Sequence, residues 1–155
     1  MAAAAPGAEL ALVRSWLLDT GPLVAYLDGR DPAHSAVAAC LDRFTGELFT
    51  TSAVITEAMH FAAPSSKGPR LLADFVMASG LTIFDFTQPA ALPAAVDLME
   101  KYSDLPMDFA DATLVLLAEQ LQTREILSLD RRGFAVFRTG DRQPFHLVLE
   151  LSGPS

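Results

Sequence analysis

The chain has 155 residues, 51% of them apolar and 19% charged, with a formal net charge of −8. That length suits one domain with a sizeable core, and the composition excludes a disordered or low-complexity chain. A single cysteine, Cys40, excludes a disulfide framework or thiolate metal site, and no apolar run approaches the ~20 residues of a membrane span, so a soluble cytoplasmic protein in a reducing compartment is expected.

Residues 1–13 read as a flexible tail, because the Ala-rich start lacks the basic opening of a secretory signal. Trp16-Leu17-Leu18 is a short, continuously apolar run, the pattern of a strand buried on both faces, and it closes on Asp19. Gly21 is read as supplying a tight turn and Pro22 as the start of a helix over 23–28. Asp31-Pro32 opens a second helix to Phe44, with Val37, Cys40, Leu41 and Phe44 on its apolar face and Cys40 as a small buried hydrophobe. Leu48 to Thr50 is a strand, Ser52 caps a helix over 53–62, and 64–69 is a loop. A helix over 71–78, a strand over 81–86 and a helix over 89–102 follow. Pro106 opens a strongly apolar helix to about Gln122. Ile126 to Asp130 repeats the opening theme of an apolar strand closing on an acid, and Val136-Phe137 and His146 to Leu151 are strand-like. Strands alternating with helices imply a single three-layer α/β domain over 14–151, a parallel sheet with helices on both faces.

Carboxylates at strand ends and helix starts are the candidates for chemistry. Asp19 could serve simply as a helix cap. Glu57 shares its helix face with Ala53, Val54, His60 and Phe61; a carboxylate beside that apolar face needs a partner, a metal or a cavity. Asp108 and Asp111, spaced i and i+3, fit an N-cap and a first-turn acid, but two carboxylates there repel each other, and a divalent cation would relieve them. Asp104 is loop, and Asp130 fits a turn former. A parallel sheet gathers its strand ends at one edge, and the helices carrying Glu57, Asp108 and Asp111 begin there. Together these acids would form an all-oxygen cluster suited to Mg²⁺ or Mn²⁺ rather than zinc. His60 is read as a satisfied structural histidine, and His34 and His146 have no ligand spacing.

Leu17-Leu18-Asp19-Thr20-Gly21-Pro22-Leu23, Thr51-Ser52-Ala53-Val54-Ile55-Thr56-Glu57, Met107-Asp108-Phe109-Ala110-Asp111-Ala112 and Leu127-Ser128-Leu129-Asp130-Arg131-Arg132-Gly133-Phe134 occur in an order and spacing that resemble the PIN-domain ribonuclease family, and within it the VapC-type toxins of toxin–antitoxin pairs. The resemblance implies a metal-dependent endoribonuclease whose acidic quartet is Asp19, Glu57, Asp111 and Asp130. Asp108 belongs to a longer Asp-x-x-Asp-Ala form; either it or Asp111 contacts the metal, with Asp111 favoured. Thr20, Ser52 and Ser128 would orient these carboxylates. Mg²⁺, with Mn²⁺ as a substitute, would activate water for attack on an RNA phosphodiester. The implied partners are RNA, a cognate antitoxin protein and a second copy in a homodimer, with no membrane; the excess of Leu, Ala and Phe suits such apolar surfaces.

The chain departs from the expectation for a nucleic-acid enzyme in its low basic content. Only from Arg124 onward do basic residues, five of them, outnumber the four acidic ones. Arg131 and Arg132 are the best phosphate contacts, with Arg138 and Lys67 behind them. Two other readings compete. Asp19-Thr20-Gly21 matches the triplet of aspartic proteases, but those are all-β, against the long helical patterns here. A PIN-like binding module without nuclease activity would show no Mg²⁺-dependent cleavage, and the intact acid set argues against it.

Overall fold

The computed structural model describes residues 13–149, so most of the expected tail and the end of the last expected strand lie outside the described residues. Among the described residues the chain runs β1 (Ser15–Leu18), α1 (Thr20–Leu27), α2 (His34–Arg43), β2 (Glu47–Thr51), α3 (Ser52–Ala62), α4 (Gly68–Ser79), β3 (Thr82–Phe84), α5 (Leu92–Lys101), α6 (Phe109–Leu121), β4 (Glu125–Leu127), α7 (Arg131–Val136) and β5 (His146–Leu147). All strand pairings are parallel, in the order β3-β2-β1-β4-β5. The expected α/β architecture is therefore the one observed.

The strand order follows from the sequence of crossovers. The chain lays β2 and β3 to one side of β1, then returns and lays β4 and β5 to the other. β1 is consequently central, and the reversal of direction falls between β1 and β4. In open α/β sheets that reversal leaves a crevice beyond the carboxyl ends of the two strands.

Alternation along the strands sorts side chains between two cores. Leu17 is in register with Phe49 and Ile126, and all three belong to the cluster formed with Ala95 of α5, Leu114 and Leu117 of α6, and Phe134 of α7. Leu18 and its register partner Leu127 face the opposite cluster, with Leu23 of α1, Val37 and Leu41 of α2, and Leu72 of α4. Leu17, Leu18 and Leu127 are fully buried, each worth roughly 1.5–3 kcal/mol of transfer free energy. α3 serves both layers, Val54 in the first and Ala58 in the second. α6 is buried over nearly all of Ala110 to Ala118, as expected of a helix apolar on every side.

Several local expectations are corrected. α6 begins at Phe109 rather than at Pro106, because Asp108 is its cap. Thr51, not Ser52, caps α3: its Oγ1 accepts from the Val54 amide at 3.3 Å. Gly21 lies within α1 and has no unusual backbone angles; its missing side chain instead makes room for Leu129, which a Cβ would meet at 3.4 Å. The segment read as a strand at Val136-Phe137 ends helix α7, whose Phe134 and Phe137, three residues apart, share one buried side. Cys40 is only half-buried, and His60 is exposed, with an edge contact to Phe61.

Candidate active site

Asp19 directly follows β1. Its amide donates to the Leu127 carbonyl of β4 at 3.0 Å, which pins it at the crevice between the two central strands. Its side chain accepts from the Thr20 amide at 2.8 Å and from Ser128 Oγ at 2.7 Å. It is 7% exposed. Burial pushes its pKa up to about 6; the bonds from Ser128 and Thr20 act against this, and Asp108 and Glu57 add to it.

β4 delivers the next element of the site. Ser128 Oγ, having donated to Asp19, accepts from the Asp130 amide at 2.9 Å, so one buried hydroxyl sets the separation of two acids. Asp130 then caps α7, accepting from the Gly133 amide at 2.9 Å. Glycine is required at 133, because a Cβ there would collide with the Asp130 carboxylate.

Asp108 and Asp111 form a reciprocal capping box at the start of α6. The Asp111 amide donates to Asp108 Oδ1 at 2.8 Å, and the Asp108 amide donates to Asp111 Oδ2 at 3.2 Å. Asp111 is buried and Asp108 exposed. Burial first, then the Asp108 and Asp19 charges, hold the Asp111 carboxyl well above the ordinary carboxylate range. Glu57, half-buried on α3, is raised chiefly by burial; the Thr20 hydroxyl stands close enough to favour its charged form, though outside hydrogen-bonding geometry. α3 and α6 are tied together by a buried contact between the Thr51 and Thr113 hydroxyls at 2.8 Å.

The result is one cavity of about 570 Å³ lined by Asp19, Glu57, Asp108, Asp111 and Asp130, together with Thr20, Gly21, Val24, Asp31, Phe61, Pro106 and Leu129. Of the described residues, six carboxylates face it and no lysine, arginine or histidine does. Among the described residues no three acidic, His or Cys side chains converge tightly enough to hold one ion as they stand, and Asp19, Asp111 and Asp130 each accept a bond from a backbone amide. The donor chemistry nonetheless fits a hard divalent cation: every available ligand is a carboxylate oxygen, and the acids stand close enough to raise one another's pKa, a repulsion that a cation would relieve.

Sequence reasoning missed Asp31, Thr51 and Thr113. Asp31 stood out only as a helix start, a role it does fill by accepting from the Ala33 amide at 2.8 Å; the two threonines carried no signal distinguishing them from ordinary strand and helix residues. Of the expected orienting hydroxyls, Ser128 and Thr20 are in the cavity wall or directly behind it, whereas Ser52 points away and donates to Asp85 at 2.9 Å. Arg131 is engaged with the Leu149 carbonyl at 3.0 Å, and Arg138 with the carbonyls ending α7. Arg132 stays exposed at the rim, lining a small adjoining cavity with Asp130.

The family model of the PIN domain matches residues 16–139, an interval that contains every acid of the cavity. Ribonuclease VapC26 of Mycobacterium tuberculosis is 33% identical over 123 residues, covering 79% of this chain and 91% of that protein. Among solved structures, Mycobacterium tuberculosis VapC20, a sarcin-ricin loop cleaving toxin, superposes with a TM-score of 0.65 at 14% identity over 76% of this chain and 90% of the other. VapBC2 of Rickettsia felis, bound to a DNA fragment from its promoter, superposes with a TM-score of 0.55 at 15% identity over 78% of this chain and 91% of the other. At such identities the two structures attest to the fold alone.

Proposed function

Because the chain belongs to the PIN-domain family, we propose that it is an endoribonuclease that hydrolyses RNA phosphodiester bonds as the toxin of a toxin–antitoxin pair. The observation carrying this reading is the gathering of Asp19, Glu57, Asp111 and Asp130 around one acid-lined cavity at the reversal point of the sheet. The ribonuclease relative, alike over most of both chains, supports the choice of RNA as substrate.

Asp19 and Asp111 would hold the divalent metal, with Glu57, Asp130 and the exposed Asp108 around them. A bound Mg²⁺ or Mn²⁺ supplies an acidified water and neutralises charge on the phosphoryl oxygens. The protein's own groups do the rest. Ser128 fixes the orientation of Asp19 and the position of Asp130. Glu57, with its raised pKa and half-buried position, is suited to take a proton from the attacking water. Arg132, at the rim beside Asp130, is the phosphate contact nearest the acids.

In the toxin reading the partner is a cognate antitoxin protein, and the chain acts as a homodimer. Exposed apolar side chains support partner surfaces of both kinds: Ile83 on the edge strand with Leu92 and Val96 on α5, and Leu71 and Met77 on α4.

The test is cleavage of a structured RNA by the purified chain with Mg²⁺, with Mn²⁺ and with EDTA. Cleavage in both metals and none in EDTA is expected. Undiminished cleavage in EDTA would remove the metal from the mechanism, and no cleavage under any condition would favour a PIN-like binding module.

A further inference from the structure

The acid cavity opens onto a second, quite different one. An adjoining cavity of about 320 Å³ lies between α1, α3 and the start of α4; its walls combine the apolar side chains of Leu27, Ala58, Ala62 and Leu71 with the charged Asp28 and Arg30, which are paired with each other. The two cavities share Val24 and Phe61. On its other side the acid cavity shares Pro106 and Asp130 with the cavity that Arg132 lines. The acids thus occupy the middle of three contiguous depressions, with Arg132 on one side and, on the other, a mixed recess in which Arg30 is paired with Asp28.

Phe61 stands at the junction of the acid cavity and this recess. It lies one turn beyond Glu57 on α3, on the same helix face. It is 58% exposed and belongs to neither core cluster. Its ring contact is an edge-on approach to exposed His60, with centroids 5.7 Å apart. A large aromatic ring left this open adds little to the core. Its position matters because it borders the acid cavity, whose own lining is acidic, so a contact that does not depend on charge is well placed to hold substrate there. Stacking of a base on an aromatic ring is such a contact, and single-stranded RNA presents its bases for it.

We propose that Phe61 is a substrate-binding residue on which a nucleobase flanking the cleaved phosphodiester stacks, with the base seated at the mouth of the recess between α1, α3 and α4. The proposal rests on the ribonuclease reading of the acid cavity. The phosphate that follows the seated base then lies over the acids, and the strand leaves past Arg132.

The experiment measures kcat and KM in Mg²⁺ for single-stranded oligoribonucleotides with the unchanged chain, Phe61→Ala, Phe61→Leu and Phe61→Trp, with circular dichroism confirming that each variant is folded. Phe61→Ala should raise KM by about ten-fold and leave kcat within about two-fold; Phe61→Leu should behave like Ala, and Phe61→Trp should restore KM. Replacing the flanking base by an abasic residue should weaken the unchanged chain to the level of Phe61→Ala and leave that variant unaffected. An unchanged KM in Phe61→Ala, with cleavage intact, would overturn the proposal while leaving the ribonuclease reading standing, and would assign the ring to a protein partner's surface. A KM defect that Leu repairs as well as Trp would overturn it too, because apolar bulk rather than stacking would then suffice. Absence of cleavage by the unchanged chain would overturn both.

Discussion

Asp19 and Asp85 each follow a parallel strand directly, Leu18 preceding one and Phe84 the other, yet they end as opposite electrostatic sites. Asp85 lies beyond edge strand β3, exposed, and accepts from Thr87 Oγ1 at 2.6 Å, the Thr87 amide at 2.9 Å, Ser52 Oγ at 2.9 Å and Gln88 Nε2 at 3.3 Å. Those donors, Thr87 foremost, bring its pKa down to about 2. Asp19 lies beyond central strand β1, with two donors, no basic side chain and five further acids lining its cavity, and its pKa moves the other way. The local motif is the same in both. What differs is the number of neighbouring strands, and hence how many other strand ends and helix starts crowd the acid. A central position at the sheet's reversal turns a capped carboxylate into one that needs a counter-ion; an edge position leaves it satisfied.

The largest expected effect comes from neutralising Asp19. Asp19→Asn should lower cleavage by roughly 10²–10³-fold or more, the scale of losing a group that stabilises charge in the transition state. It should also raise metal-free stability at neutral pH. The folded-state value of about 6 lies above the ordinary 3.8, so the folded chain holds this proton more tightly than the unfolded one. Ionising Asp19 therefore costs stability, and the loss accumulates as pH rises from about 4 through 6, reaching about 3 kcal/mol at 1.36 kcal/mol per unit. Denaturant melts across pH 4–8 in EDTA check the sign: the unchanged chain should lose stability over that window and Asp19→Asn should lose less. A variant less stable than the unchanged chain at pH 8 would erase the distinction between Asp19 and Asp85. The same comparison predicts that Mg²⁺ raises the melting temperature of the unchanged chain, by about 2.7 kcal/mol of stability at a hundred times its dissociation constant, and does so much less in Asp19→Asn. A melting temperature higher in EDTA would count against a cation at the site.

Ser128→Ala is next. The hydroxyl donates to Asp19 and accepts from the Asp130 amide, so its loss should cost about 10–100-fold in activity, the usual scale for groups that orient metal ligands. A pH–rate profile separates this role from simple destabilisation: removing a donor that favours the charged Asp19 moves the acid limb of the profile to higher pH. Arg132→Ala, smaller again, should raise KM a few-fold and reduce the slope of log affinity against log salt by about one, since a single phosphate contact is lost. Arg131→Ala, whose guanidinium is already held by the Leu149 carbonyl, should change that slope less.

The layering of the fold and the acids of the cavity were legible in the sequence because both rest on local signals. Apolar runs such as Trp16 to Leu18 announce buried strands, and an acid at a strand end or helix start is visible without knowing its neighbours. Strand order is not local, and it decides which strand-end acid is buried. The pattern over 81–86 puts Asp85 inside a strand and so does not present it as a strand-end acid; β3 in fact stops at Phe84, and its place at the edge, not the local sequence, is what leaves Asp85 outside the acid cavity. Adjacent hydroxyls were similarly ambiguous: Thr51 and Ser52 can both cap α3, and the tertiary contact between Thr51 and Thr113 selects the former, freeing Ser52 for Asp85. Asp31 enters the cavity through the path of the α1–α2 connection, which no residue pattern encodes.

The smallest expected effect, and the sharpest check on whether the two regions are separate, belongs to Asp85→Asn. Asp85's depressed pKa means that its charge stabilises the fold at pH above about 4 and ceases to do so as pH falls through about 2, so the variant should be slightly less stable than the unchanged chain at neutral pH and indistinguishable from it near pH 2. Cleavage should be unaltered, because Asp85 does not line the acid cavity. One physical link could defeat this expectation: Ser52, bound to Asp85, is the first residue of α3, the helix that carries Glu57 and Phe61. A fall in kcat for Asp85→Asn would mean that the edge acid sets the seat of that helix, whereas a loss confined to acid-side stability keeps it a local cap and leaves the positioning of Glu57 to the buried Thr51–Thr113 contact.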